Sequence, residues 1–242
     1  LNQNFIHLDI IKTNKSLIDH YHFDIIINLT GQLTKETYKC FNLNTRGIDN
    51  LINLCSFQKT KLIHISTLSV LGSSKSIVNE ETNVNPSSVY ATLKSVAEYK
   101  LKSCFNKNDM IILRLCNLYG NNQSKGIINY IIENLRADKI KINNNGLLKR
   151  FFINVDDVSV LLYKMIKNFQ PGIYNLATKD KFTIKELISL IENIAQTKIN
   201  CEYEDKEPWE NIEKVDTSKV TKTYNISLNS KLKFWLTKKI ND

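Results

Sequence analysis

Glycine, proline and paired cysteines are what this 242-residue chain has little of. It contains seven glycines and three prolines. No glycine precedes Gly31, so no early glycine-rich turn lets the backbone close on a phosphate. The five cysteines (Cys40, Cys55, Cys104, Cys116 and Cys201) are odd in number and widely spaced. Without a Cys-x-x-Cys pair they argue against a zinc site, and several lie in apolar runs, where cysteine acts as a small hydrophobe. The four histidines (His7, His20, His22 and His64) show no ligand spacing, so no metal is expected. No apolar run approaches the roughly 20 residues that cross a membrane, and no signal peptide is evident. These absences point to the reducing cytoplasm, with no membrane partner. A basic stripe interleaved with aromatics is missing too. The formal net charge is +9, but the lysines are scattered, which reads as a solvated surface rather than a nucleic-acid partner.

What is present suits a packed α/β domain. Hydrophobic residues make up 42% and charged residues 24%, enough apolar surface for a sizeable core. Short β-branched runs alternate with amphipathic stretches. Asp24 to Leu29, Lys61 to Ser66 and Met110 to Cys116 read as buried strands. Thr30 to Phe57, Ser87 to Cys104 and Gly126 to Ala137 read as helices. In the first, Tyr38, Phe41, Ile48, Leu51, Ile52 and Cys55 fall at helical spacings; in the second, Val89, Ala97 and Leu101 are the inward candidates. Such alternation implies a parallel sheet with right-handed crossovers, covered on both faces. Beyond Gln123 the rhythm loosens. Strands are expected at 139–143, 150–154, 172–177 and 198–203, and helices at 156–167 and 183–196. The fold expected is therefore a doubly wound parallel sheet with a smaller C-terminal lobe. Residues 1–123, to which 151–177 return, are expected to form the sheet, and 124–150 with 178–242 the smaller lobe.

Three features recur in the order one chemistry needs. Ser66-Thr67 ends a strand, Tyr90 and Lys94 stand four apart on the next helix, and Arg114-Leu-Cys116-Asn117-Leu-Tyr119-Gly120 closes the following strand. Ligands of open parallel sheets bind beyond the carboxyl ends of the strands, where residues 66–67 and 116–117 would lie. Tyr90 and Lys94 share a helix face. An ammonium beside a phenol favours the phenolate, so the pair can exchange a proton with a sugar hydroxyl while hydride moves at the same carbon. Thr67 would orient that hydroxyl, and the hydride step calls for a nicotinamide.

These segments resemble the extended short-chain dehydrogenase/reductases, the NAD-dependent epimerase/dehydratase family. Ser66-Thr67-Leu68-Ser69-Val70-Leu71-Gly72 is similar to that family's Ser-Ser/Thr strand end followed by Val-Tyr-Gly. Pro86-Ser87-Ser88-Val89-Tyr90-Ala91-Thr92-Leu93-Lys94 is similar to its Pro-x-Ser-x-Tyr-x-x-x-Lys. Leu113 to Gly120, Arg150 to Val158, and Gly172-Ile-Tyr-Asn-Leu176 resemble three further motifs in register. The resemblance runs from about Leu8 to Tyr224. It implies Thr67, Tyr90 and Lys94 as catalytic residues. It implies NAD or NADP held by Asp9, Ile10, Leu29, Thr30, Gly31, Asn44, Tyr90, Lys94 and Cys116. The partner implied is a nucleotide-diphosphate sugar held by Thr67, Asn117 and Arg150, in a homodimer built through the helices near 32–56 and 89–104. Arginine suits a diphosphate through its planar fork; the alternative for Arg150 is a surface ion pair with Asp156 or Asp157.

The resemblance also has a gap. The family opens on a strand, a Gly-x-x-Gly-x-x-Gly turn and a helix, whereas Phe5 to Ile10 resembles its third strand. On that register roughly 50 residues of the pattern lie upstream of Leu1, which is not a methionine. A fragment or a truncated product is implied, with the sheet's first two strands lacking and weak NAD binding by these 242 residues alone. Among the family's reactions, dehydration usually draws on an Asp-Glu pair after the threonine, and here those positions are Leu68 and Ser69. The expected activity is C4 epimerisation through a transient 4-keto sugar, with a nucleotide-sugar 4-ketoreductase as the alternative. A non-catalytic ligand- or partner-binding relative is the alternative of another class.

Overall fold

The computed structural model describes residues 9–11, 22–31, 37–120, 123, 125–205, 210–229 and 231–241. The first part of the chain gives β1 (Ile25–Asn28), α1 (Thr37–Asn44), α2 (Arg46–Gln58), β2 (Lys61–Thr67), a 3-10 turn (Leu68–Leu71), β3 (Ser74–Val78) and α3 (Val89–Cys104). There follow β4 (Met110–Leu115), β5 (Asn117–Tyr119), α4 (Ile127–Glu133), β6 (Ile140–Asn143), β7 (Lys149–Asn154), α5 (Val155–Lys167) and β8 (Gly172–Leu176). The last are β9 (Lys181–Thr183), α6 (Ile184–Ala195), β10 (Cys201–Glu204), β11 (Ile212–Val215), α7 (Ser218–Tyr224) and α8 (Leu232–Asn241).

The central sheet runs β1-β2-β4-β8, all parallel. Every position of β4 is buried, as a strand covered on both faces requires. On one face, Ile48 and Leu51 of α2 and Ala97 and Leu101 of α3 pack on Leu62 and Ile112. On the other, Leu161 and Met165 of α5 and Val220 and Tyr224 of α7 pack on Ile63, Ile111 and Leu113. This is a Rossmann-like α/β arrangement. A separate apolar cluster joins Ile128, Ile131, Ile140, Phe152, Leu187, Ile191, Trp235 and Leu236, drawn from α4, α6, α8, β6 and β7. Two pairings bring distant segments together: β11 runs parallel to β3, and β10 parallel to β6.

The structure corrects several sequence-based expectations. The helix expected over Thr30 to Phe57 is two helices with Leu29 to Gly31 outside them. The break falls at Thr45, whose hydroxyl donates to the Phe41 carbonyl at 2.8 Å, diverting an acceptor the backbone ladder would use. Tyr38 and Phe41 are exposed, whereas Ile48, Leu51, Ile52 and Cys55 are buried. Val89 is also exposed, because the inward stripe of α3 runs through Ala91, Lys94, Ala97, Glu98 and Leu101, and Val89 lies on the opposite side. The strand expected over Phe5 to Ile10 falls mostly outside the described residues. Among the described residues no helix is long and apolar enough to cross a membrane.

Helix α3 is fastened to the sheet by a buried ion pair. Arg114 donates from Nε to Glu98 Oε1 at 3.0 Å and from Nη2 to Oε2 at 2.8 Å, and both side chains are about 1% exposed. Ser66 donates to the same carboxylate at 2.6 Å, and Lys102 adds a contact at 3.1 Å. Burial alone would raise the Glu98 pKa, but the Arg114 bonds and charge, Ser66 and Lys102 together hold it below the usual carboxylate range. Removing one member strands the other charge, so Glu98→Gln is expected to lose about 3–5 kcal/mol of stability. The contribution is fully present above the unfolded pKa of about 4.3 and disappears as pH falls through the lower folded value. Urea unfolding of both proteins across that range checks this; a wild-type stability advantage that does not shrink in acid refutes it.

Candidate active site

Where β2 and β4 end beside the start of α3, the chain encloses a cavity of about 410 Å³. Of the residues expected at the site, Leu29, Thr30, Thr67, Tyr90, Lys94, Cys116, Asn117 and Arg150 line it. Local chemistry explains the placement of the central pair. The Ser88 side chain accepts from the Ala91 N–H at 3.2 Å and so starts α3 with Tyr90 in its first turn and Lys94 one turn on. Thr67 ends β2, and its hydroxyl accepts from the Ser69 N–H at 3.2 Å, opening the 3-10 turn. Gly72 closes that turn at φ +68, where a Cβ would stand 2.1 Å from the Asn85 carbonyl, so only glycine fits.

Lys94 is buried, and its ammonium donates to the Thr30 carbonyl at 2.8 Å and the Ile65 carbonyl at 2.7 Å. It thereby ties the loop after β1 to β2. Burial brings its pKa down to about 8, against the opposing influence of Cys40 and Glu98. The Tyr90 phenol moves the other way, pushed up to about 12 by burial, with Cys40 and Glu210 adding to the rise and the Thr67 side chain opposing it. The expectation that Lys94 lowers the Tyr90 pKa is therefore corrected. The ammonium directs its bonds to two backbone carbonyls, and burial dominates at the phenol.

Other expected residues lie behind the cavity wall or away from it. Gly31 sits at φ +91 with its Cα against Asn44, where a Cβ would meet Oδ1 at 2.7 Å. Asn44 is buried and donates to the Cys40 carbonyl at 2.9 Å. Ile10 is buried against Gly47, and the Asp9 carboxylate accepts from the Ile11 N–H at 2.9 Å. None of these four lines the cavity. Asn117 donates to the Phe151 carbonyl at 3.1 Å, joining β5 to β7. Arg150 meets neither Asp156 nor Asp157. Its guanidinium donates to the Glu210 carbonyl at 2.6 Å and lies 3.7 Å from the Glu210 carboxylate, while Asp157 pairs with Lys231.

Two residues at or near the cavity belong to none of the motifs. Glu210 lines the cavity from a stretch that matches no motif. His64, beneath the site, is fully buried and bonds through Nδ1 to Asn28 Nδ2 at 2.9 Å. Asn28 Oδ1 already accepts from the Thr30 N–H and hydroxyl at 3.0 and 2.7 Å, so its amide donates to His64, placing the ring proton on Nε2. An apolar-strand histidine next to a strand-end serine was the available signal. Burial, with Lys94 adding, holds the His64 pKa well below the ordinary value. Its ring is accordingly expected to show no titration between about pH 5.5 and 7.5. Nitrogen-15 ring shifts, assigned against His64→Gln, measure this; a midpoint near 6.5 would contradict the network.

A parallel sheet with Tyr90, Lys94 and Thr67 gathered at its carboxyl edge is the setting in which the comparisons with known proteins fall. Residues 2–177 match the profile of the "NAD dependent epimerase/dehydratase family", and the chain belongs to that family. Curated relatives include UDP-glucuronic acid decarboxylase 6 of Arabidopsis thaliana, 24% identical over 70% of this chain and 53% of that protein. Another is the uncharacterized UDP-glucose epimerase YtcB of Bacillus subtilis, 24% identical over 67% of this chain and 54% of that one. The chain thus spans about half the length of these relatives. UDP-glucuronic acid 4-epimerase from Bacillus cereus, solved with UDP-glucuronic acid and NAD, superposes with a TM-score of 0.85 at 24% identity, over 98% of this chain and 80% of that one. The dTDP-glucose 4,6-dehydratase DesIV of Streptomyces venezuelae gives 0.84 at 19% identity, over 98% and 78%. At these identities the structural likeness speaks for the fold.

Proposed function

We propose that the chain carries the proton-handling site of an NAD(P)-dependent enzyme that inverts C4 of a nucleotide-diphosphate sugar through a transient 4-keto form. The observation that carries this reading is the meeting of Tyr90, Thr67 and Lys94 in one cavity, with Leu68 and Ser69, rather than acids, following the threonine. The cavity suits a nicotinamide end: Lys94 lines it with an ammonium held on two backbone carbonyls, and Leu29 and Cys116 give apolar wall. NAD, when bound, supplies the hydride acceptor and donor. Tyr90, as the phenolate, takes the proton of the C4 hydroxyl and, as the phenol so formed, returns it, and Thr67 orients that hydroxyl. Lys94 holds the loop at Thr30 and β2 in register, and a cationic ring bound in the cavity would favour the phenolate against the burial that raises its pKa. Asn117 and Arg150 in the cavity lining hold the diphosphate, and the lobe of residues 124–150 and 178–242 holds the rest of the substrate.

Incubating the whole protein with UDP-, dTDP-, GDP- and CDP-sugars tests this. A C4 epimer formed without net cofactor turnover is expected, whereas stoichiometric NAD(P)H consumption makes the enzyme a 4-ketoreductase. Tyr90→Phe is expected to cut kcat by about 10²-fold or more while nucleotide-sugar binding persists; unchanged kcat removes Tyr90 from the mechanism.

Exposed Tyr38 and Phe41 on α1 and Tyr99 on α3 support the homodimer as well. Sedimentation is expected to report a dimer that Tyr38→Lys with Tyr99→Lys dissociates; a wild-type monomer would refute it.

A further inference from the structure

The Glu210 carboxylate has no part in the proton transfer just described, yet it lies in the same cavity as Tyr90 and Thr67. It comes from the segment leading into β11, 141 residues along the chain from Ser69, whose hydroxyl donates to Glu210 Oε1 at 2.9 Å. Ser69 is two residues beyond Thr67 on the 3-10 turn, so the carboxylate is bonded to the turn that Thr67 opens. On its other side is Arg150, bonded to the Glu210 carbonyl and 3.7 Å from Oε1. Oε2 is buried and has no hydrogen-bond partner among the described residues. An ionised carboxylate oxygen in that position accepts only, so a ligand hydroxyl satisfies it and a ligand carboxylate is repelled.

We propose that Glu210 makes the cavity selective for nucleotide-diphosphate sugars whose ring carries hydroxyls alone, one of them donating to Oε2, and against those whose sugar carries a carboxylate. This rests on the reading of the cavity as a nucleotide-sugar site. The diphosphate is the same in both ligand classes, so Arg150 does not tell them apart; the charge on the sugar does. The Glu210 charge also acts on the Tyr90 phenol, which places it within electrostatic reach of the reacting hydroxyl.

Calorimetric titration of the whole protein with UDP, dTDP, GDP and CDP identifies the base, and the glucose and glucuronic acid esters of that nucleotide are then compared at neutral pH. The wild type is expected to bind the glucose ester about tenfold or more tightly than the glucuronic acid ester. In Glu210→Gln the ratio is expected to fall to about threefold or less, chiefly through tighter binding of the glucuronic acid ester, while Glu210→Asp keeps the preference. Equal wild-type affinities, or an unchanged ratio in Glu210→Gln, overturn the assignment and leave the nucleotide-sugar reading standing. Binding of none of the nucleotides or their esters removes that reading and the assignment with it.

Discussion

The Glu98–Arg114 ion pair is the interaction on which the arrangement of this molecule turns. Each charge alone would be costly in an interior built of Ile, Leu and Ala, and only the two-point fit of a guanidinium on a carboxylate makes both tolerable. The pair reaches from α3 to β4, and Ser66 on β2 completes it. The helix bearing Tyr90 and Lys94, the strand ending in Thr67 and the strand leading to Asn117 are therefore referenced to one charged cluster beneath the cavity. Lys94 extends the same frame to the loop after β1 through the Thr30 and Ile65 carbonyls. The cavity residues come from separate parts of the chain, and polar contacts with strict geometry locate them more narrowly than apolar packing alone would.

Burial also sets the electrical character of the cavity. It brings Lys94 down and Tyr90 up, because in both residues the neutral form is the cheaper one away from water. The phenol thus rests protonated.

The C-terminal third encloses what the sheet begins. Glu210 reaches Ser69, β11 lies alongside β3, and the Asp180 carboxylate accepts from the Lys231 and Leu232 N–H groups at 2.8 and 2.9 Å, anchoring the start of α8. Through the first two of these contacts Glu210 and Ile212 join the cavity lining from far along the chain.

The central strands and the helices between them were legible in the amino-acid sequence. So was the neighbourhood of Thr67, Tyr90, Lys94, Cys116 and Asn117, since each belongs to a run whose period and ends are local properties. Apolar runs such as MIILRL have few alternatives to a buried strand, and a four-residue spacing places two side chains on one helix face wherever the helix packs. The break at Thr45, the outward turn of Val89, the short strands β3, β5, β9 and β11, and the partner of Arg150 were not legible. The first two depend on competing hydrogen bonds and helix phase. The strands are too short to show a period, and their partners lie up to about 140 residues away. The sequence by itself determined an α/β sheet with a tyrosine and a lysine at its carboxyl edge. Tertiary structure decided what surrounds them, because burial, which moves the pKa values of Tyr90 and Lys94, and long-range contact, which brings Glu210 to Ser69, exist only once the chain has packed.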